Sequence, residues 1–210
     1  MKNLNFVIAT LFFLCLSFVT SPVYSSLSHF GHMKINEDTL LKATFKQQRF
    51  LQGITRPILS NGEMLLLGNK GIIWETKNPF SNRMLITHRG VYRIVNKKPR
   101  IVSKTGNNVI MSLISKILNG SLTDGVKAFN VNILSRPNAK RWKIELTPKD
   151  KKMQSFVNNI KIEGVKFVQS IVIQHANGGK DIITMENHAI YVGEERDKIL
   201  SPEQERWLNG

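Results

Sequence analysis

Residues 62–94 read GEMLLLGNKGIIWETKNPFSNRMLITHRGVYRI, and this stretch decides the fold. Its apolar runs are short. Turn formers separate them at Gly68-Asn69-Lys70-Gly71, at Asn78-Pro79 and at Arg89-Gly90, a spacing that predicts an antiparallel meander. Ile72 and Trp74 fall on one face of their strand because side chains alternate across a pleated backbone, and Pro79 stops the ladder because it has no N–H to donate. No nucleophile, base or ligand set lies among these strands. Met, Leu, Ile and Trp without such groups describe a wall that packs against something apolar, either a helix or a lipid tail.

Toward the N-terminus, Phe45, Gln47, Arg49 and Leu51 alternate with Thr44, Lys46, Gln48 and Phe50, which predicts a strand with two mixed faces. Gly53 and Pro57 bracket a turn, and Ile58-Leu59 lead through Asn61-Gly62 into the meander. Residues Leu27 to Leu41 are expected to carry a short helix, with Asn36 as N-cap and Glu37-Asp38 suited to a helix N-terminus. Residues 1–25 read as a secretory signal: Lys2 supplies the positive start, Phe6 to Val19 the apolar run, and Val23-Tyr24-Ser25 the cleavage region. The run is shorter than the about twenty apolar residues that span a bilayer, so a cleaved leader and an exported chain are expected rather than an anchor. Residues 26–210 would then form a single domain, long enough to bury its own core.

Toward the C-terminus, Asn96-Lys97-Lys98-Pro99 turns into Arg100-Ile101-Val102, and from Asn107 to Leu118 the period becomes helical. Val109, Ile110, Leu113, Ile114, Ile117 and Leu118 make one apolar stripe, ended by Asn119-Gly120 as a C-cap. Ser121 is placed to cap a second short helix that ends near Ala128. Strands then return: Phe129, Val131 and Ile133, then Trp142, Ile144 and Leu146, each alternate with polar residues, which predicts one-sided strands. Lys149 to Phe156 is a turn or short helix, and Ile160-Lys161-Ile162 starts another strand. Val165 to Gln174 faces Lys180 to Asn187 across Asn177-Gly178-Gly179, a hairpin signal. Ser201-Pro202-Glu203-Gln204 has the cap, first-turn proline and returning glutamine of a helix that carries Trp207. The sum is an α+β chain: a curved antiparallel sheet of about ten strands, forming an unclosed half β-barrel covered by helices.

Charge is the strongest compositional feature, with 30 Lys and Arg against 15 Asp and Glu and a net charge of +15. The basic residues gather at Lys97-Lys98-Arg100-Lys104, at Arg136-Lys140-Arg141-Lys143 and at Lys149-Lys151-Lys152. No recognition helix or aromatic-basic RNA motif accompanies them, so nucleic acid is not the expected partner, and an anionic membrane surface or an acidic protein face fits an exported chain better. The only cysteine, Cys15, lies in the leader, which leaves the exported domain without disulfide or thiol chemistry. His29 and His32 lack a further ligand, and His88, His175 and His188 are scattered, so no metal site or cofactor is expected. No G-x-S-x-G, H-E-x-x-H or P-loop occurs, and an enzyme is not expected.

Phe45-Lys46-Gln47, Gly62 with its apolar strand, Gly71-Ile72-Ile73-Trp74 followed by Asn78-Pro79-Phe80, Trp142-Lys143-Ile144-Glu145-Leu146-Thr147-Pro148-Lys149, and the closing Asn177-Gly178-Gly179 hairpin keep a definite order. In that order they resemble the LolA family of periplasmic outer-membrane lipoprotein carriers, as a divergent branch. The resemblance implies a half-barrel of about eleven strands closed by helices. It also implies a cavity that shields lipoprotein acyl chains, an inner-membrane ABC transporter as donor and an outer-membrane receptor lipoprotein as acceptor. One departure is that Leu67-Gly68-Asn69-Lys70 stands where family carriers have a lid-latching arginine, and the latch is not carried over to Lys70.

The expected cavity lining is Phe45, Met64, Leu66, Ile72, Trp74, Ile86, Ile110, Leu113, Ile114, Ile117, Phe129, Val131, Ile133, Trp142, Ile144 and Leu146. The same residues would also suit a dry core, and only room for a guest separates the two cases. Three functions fit this reading: a carrier of lipoproteins or another acylated lipid, a periplasmic lipid- or lipoprotein-sensing module on the same half-barrel, and, least well supported, a lipid-modifying enzyme. A carrier must shield each methylene at about 0.8 kcal/mol yet release its load, so a helix such as Asn107–Leu118 is expected to act as a weak lid.

Overall fold

A computed structural model describes residues 35–104, 109–118, 126–135 and 140–209 of the chain. Strands β1 (Leu40–Phe50), β2 (Ile58–Leu67), β3 (Gly71–Asn78), β4 (Asn82–Thr87), β5 (Gly90–Val95) and β6 (Lys98–Lys104) form one meander. Helix α1 (Val109–Leu118) follows. The second meander comprises β7 (Phe129–Ile133), β8 (Trp142–Pro148), β9 (Val157–Gly164), β10 (Val168–His175) and β11 (Lys180–Tyr191), with a one-turn helix α2 (Lys151–Gln154) before β9. Two helices close the described chain, α3 (Gly193–Ile199) and α4 (Pro202–Asn209).

The turns fall where Gly68-Asn69-Lys70, Pro79 and Arg89 place them. All pairs are antiparallel, and the order is β6-β5-β4-β3-β2-β1-β11-β10-β9-β8-β7, an eleven-stranded sheet whose end strands do not meet. β1 pairs with both β2 and β11, joining the two meanders at the centre. Side chains from β4 and β5 at one side and from β7 at the other nevertheless share one buried cluster with α1, which requires the sheet to curl around it. The fold is therefore an unclosed half-barrel covered by helices, and its oily trough is the concave face.

The convex face has a core of its own. Leu40, Leu65, Leu67, Ile73 and Leu85 alternate with the trough residues and are buried with Leu200, Trp207 and Leu208 beneath α3 and α4. This explains why Met64-Leu65-Leu66-Leu67 and Ile72-Ile73 are continuous apolar runs rather than alternating ones: both faces are covered. Ser201 and Gln204 form a reciprocal cap at the start of α4. The Gln204 N–H donates to Ser201 Oγ at 3.2 Å, and the Ser201 N–H donates to Gln204 Oε1 at 2.9 Å.

The expected N-terminal helix is corrected where the chain is described. Residues 36–39 form a turn in which the Thr39 N–H donates to the Asn36 carbonyl at 3.0 Å, and Leu40 and Leu41 already belong to β1. These two leucines go to opposite faces, Leu40 to the convex core and Leu41 to the trough, an alternation that only a strand provides. The Asn119-Gly120 cap and the start of the second helix after Ser121 lie outside the described residues, and Val126–Ala128 form a turn. β10 begins at Val168 rather than Val165, because the Val165 N–H turns back to the Phe167 carbonyl.

Candidate functional site

The trough is built from alternate positions of the strands. On β1, Leu41, Ala43 and Phe45 face inward; Met64 and Leu66 on β2, Ile72 and Trp74 on β3, and Ile86 on β4 continue the layer. Phe45 lies directly across from Gly62, and its ring centroid is 4.1 Å from that of Trp74. A Cβ on Gly62 would run into the Glu75 carbonyl and lie 2.9 Å from the Phe45 ring. The glycine is therefore a packing requirement: it leaves space for an aromatic pair to lie across β2.

The second meander contributes the opposite wall. Phe129, Trp142, Ile144 and Leu146 are buried, while Val131 and Ile133 are half-buried against the same cluster. Trp142 satisfies its indole N–H by donating to the Val165 carbonyl at 2.9 Å, so its apolar ring enters the trough at no hydrogen-bond cost. Helix α1 lies against β4 with Leu113, Ile114, Ile117 and Leu118 buried in the cluster. Ile110 lies on α1 too, with its side chain outside the described residues. Fifteen of the sequence-derived lining residues thus meet in one cluster.

Sequence reasoning missed the third wall. Val157, Ile160, Ile162, Ile171, Ile173, Ile183 and Met185, on β9, β10 and β11, complete the cluster. Their alternation was readable, as in Ile160-Lys161-Ile162 and Ile171-Val172-Ile173. What could not be read was that β11 returns to pair with β1.

One buried charged group also belongs to the concave side. Asp181 is 4 % exposed and lies across from Arg49, whose Nε and Nη2 donate to the two carboxylate oxygens at 2.8 and 3.1 Å. His175 Nε2 is 3.1 Å from Asp181 Oδ2. Burial alone would raise the Asp181 pKa, but the hydrogen bonds from Arg49 and His175 and the charge of Arg49 hold it below the ordinary carboxylate value. The triad ties β1, β10 and β11 at one end of the trough. His188 stacks on Phe167 and its Nε2 is 3.0 Å from the Val168 carbonyl, which can only accept, so Nε2 carries the hydrogen. Burial lowers its pKa and favours the neutral ring.

Outside the apolar core under α3 and α4, the convex side carries ion pairs. Across the strands Lys77 and Lys42 meet Glu63 at 2.6 and 3.6 Å, Arg83 meets Glu75 at 2.7 Å, and Lys143 and Arg141 meet Glu163 at 3.5 and 3.9 Å. Lys77 above all keeps the Glu63 carboxyl below its ordinary range. Beneath α3 and α4 a cavity of about 110 Å³ is lined by Lys42, Glu63, Leu65, Ile73, Glu75, Ile199 and Gln204. Its charged lining suits a few waters, not an acyl chain. Among the described residues no group of three or more metal-ligating side chains converges, and no helix is long and apolar enough to cross a membrane.

No family model and no curated protein matches the sequence. Solved structures do resemble the fold. A LolA superfamily protein from Nitrosomonas europaea is 11 % identical with a TM-score of 0.46, over 86 % of this chain and 98 % of that one. A DUF1329 family protein from Desulfovibrio piger is 12 % identical with a TM-score of 0.43, over 81 % of this chain and 92 % of that one. The Pseudomonas aeruginosa MucA/MucB complex is 7 % identical with a TM-score of 0.44, over 81 % of this chain and 58 % of that one. The chain is an unclosed eleven-stranded half-barrel under helices, and a LolA superfamily structure is among those it distantly resembles.

Proposed function

We propose that the protein is a periplasmic carrier that shields the acyl chains of a lipoprotein or another acylated lipid between two membranes. The observation that carries this reading is the single apolar cluster on the concave face of a sheet that never closes, with an amphipathic helix as its cover. A closed barrel or a sandwich could bury the same residues permanently. In an open trough the cover among the described residues is one short helix, and displacing it exposes an oily wall of the right chemistry for hydrocarbon.

The energetic logic is exchange. Leu113, Ile114 and Ile117 occupy the trough when it is empty, so a guest gains only the difference between its own burial and theirs. Binding is thereby weak enough to reverse, which a carrier needs at its acceptor. Donor and acceptor on this reading are an inner-membrane ABC transporter and an outer-membrane receptor lipoprotein, and the leader of residues 1–25 delivers the chain to the compartment between them.

Native mass spectrometry of the protein isolated from its own periplasm tests the proposal. An acylated molecule bound one to one is expected. Recovery with a signalling protein and no lipid would favour a sensing module. A spin label at Leu113 paired with one on β8 tests the lid: the separation should increase with an acylated ligand, and an unchanged separation would refute the moving helix.

A further inference from the structure

The two ends of the trough differ in chemistry. At one end β1 turns into β2 and β3 into β4, β10 turns into β11, and β9 begins; the register pairs Arg49 with Ile58, Thr76 with Asn82, Phe50 with Lys180 and His175 with Val157 there. More than half of the exposed large apolar side chains among the described residues sit at this end. Phe80, at the tip between β3 and β4, is 82 % exposed, and Phe156, just before β9, is 63 % exposed. Leu51 and Ile54, in the loop after β1, stand exposed between them in sheet order.

Cations surround these tips. Arg56, Lys97, Lys98, Lys151 and Lys152 are exposed on the same rim, and Lys180 stands 4.9 Å over the Phe50 ring. The acids of this rim among the described residues are Asp150, which caps α2, and Asp181, which is buried against Arg49. At the opposite end, where β11 runs into α3, the exposed acids Glu37, Asp38, Glu194, Glu195 and Asp197 are interspersed with the exposed cations Arg89, Lys140, Arg141, Lys166 and Lys198, so charge of both signs is mixed there. Apolar tips set among unpaired positive charge are poorly suited to water and well suited to an anionic bilayer, where rings enter the headgroup region and lysines meet lipid phosphate.

We propose that this rim docks the protein on anionic phospholipid membrane, with Phe80 and Phe156 as the inserting tips. Docking there sets the end of the trough beside the bilayer surface. The inference concerns the rim alone and does not depend on whether the trough holds an acyl guest.

Flotation with vesicles tests it, comparing phosphatidylcholine with phosphatidylcholine containing phosphatidylglycerol. The readout is the difference between the two, to which an apolar leader contributes alike. Binding to the anionic vesicles is expected, falling steeply between low and high salt. The double variant Phe80→Ser, Phe156→Ser should weaken it about tenfold or more. Lys151→Glu with Lys152→Glu should also weaken it about tenfold or more, since each lysine near an anionic surface is worth roughly fivefold. A Lys70→Glu, Val192→Ser variant, altered at the other end, should bind as the parent does, with thermal melts showing each variant folded. No preference for anionic vesicles, or equal losses in the rim and control variants, would overturn the proposal. Capture of an acidic soluble protein by this rim in place of vesicles would overturn it as well.

Discussion

Gly62 shows how much one missing side chain can decide. Its partner Phe45 and the neighbouring Trp74 lie across the space a Cβ would fill, and the Glu75 backbone closes the remaining room. Gly62→Ala is expected to destabilise the fold by about 3 kcal/mol, the upper range of overpacking, because backbone has to move; urea denaturation measures it. Asp181 is the second such residue. Its pKa is lowered in the folded protein, so its contribution is fully present above the unfolded value of about 3.9 and is lost as pH falls through the lower native one. Asp181→Asn should cost about 1 kcal/mol at neutral pH, discounted because Arg49 is half in water, and should flatten the loss of stability below about pH 4. An acid limb as steep as the parent's would show that another carboxylate governs it.

The elements divide the labour between faces. α4 is held by its cap and by Trp207, which Arg83 approaches at 5.8 Å, and it seals the convex core. Ser201→Ala should cost about 1 kcal/mol and Trp207→Ala about 3–5 kcal/mol, read from thermal or urea melts. α1 is the opposite case, since it covers the trough without a comparable anchor among the described residues. Shortening it with Leu113→Ala and Ile117→Ala should lower stability by about 2–5 kcal/mol per site yet raise affinity for a fluorescent fatty acyl probe, because less protein has to be displaced. Lower stability with unchanged affinity would mean that α1 is a fixed wall.

At the scale of the whole molecule, a guest that binds the folded trough and not the unfolded chain must stabilise the protein by mass action. At a free acyl ligand concentration of about one hundred times Kd the gain is about 2.7 kcal/mol, which a melting shift detects. A melting point that ignores ligand at concentrations saturating in a binding assay would contradict trough binding. The two ends give the molecule an orientation as well: apolar tips among lysines with few acids at one rim, mixed acids and cations around α3 at the other. Net charge, which is all that composition offers, carries no such direction.

Alternation and turn chemistry along the chain were enough to specify the meanders, the stripe of α1 and the cap of α4, because each depends on contacts within a few residues. Ile72 with Trp74, and Trp142 with Leu146, were each put on one apolar face by the two-residue period, whereas the strand of Phe45 read as mixed on both faces and its inward side was not fixed by alternation. Leu40 and Leu41 were misread as helix because the turn that precedes them leaves too little pattern to expose their alternation. The return of β11 to β1, the second core under α4 and the Arg49–Asp181–His175 tie all required the tertiary structure. They join residues more than a hundred positions apart or elements whose partners local propensity does not name. Pairing between such distant segments is settled by which assembly buries both faces of the sheet at once, and that is a property of the folded chain, not of any stretch of it.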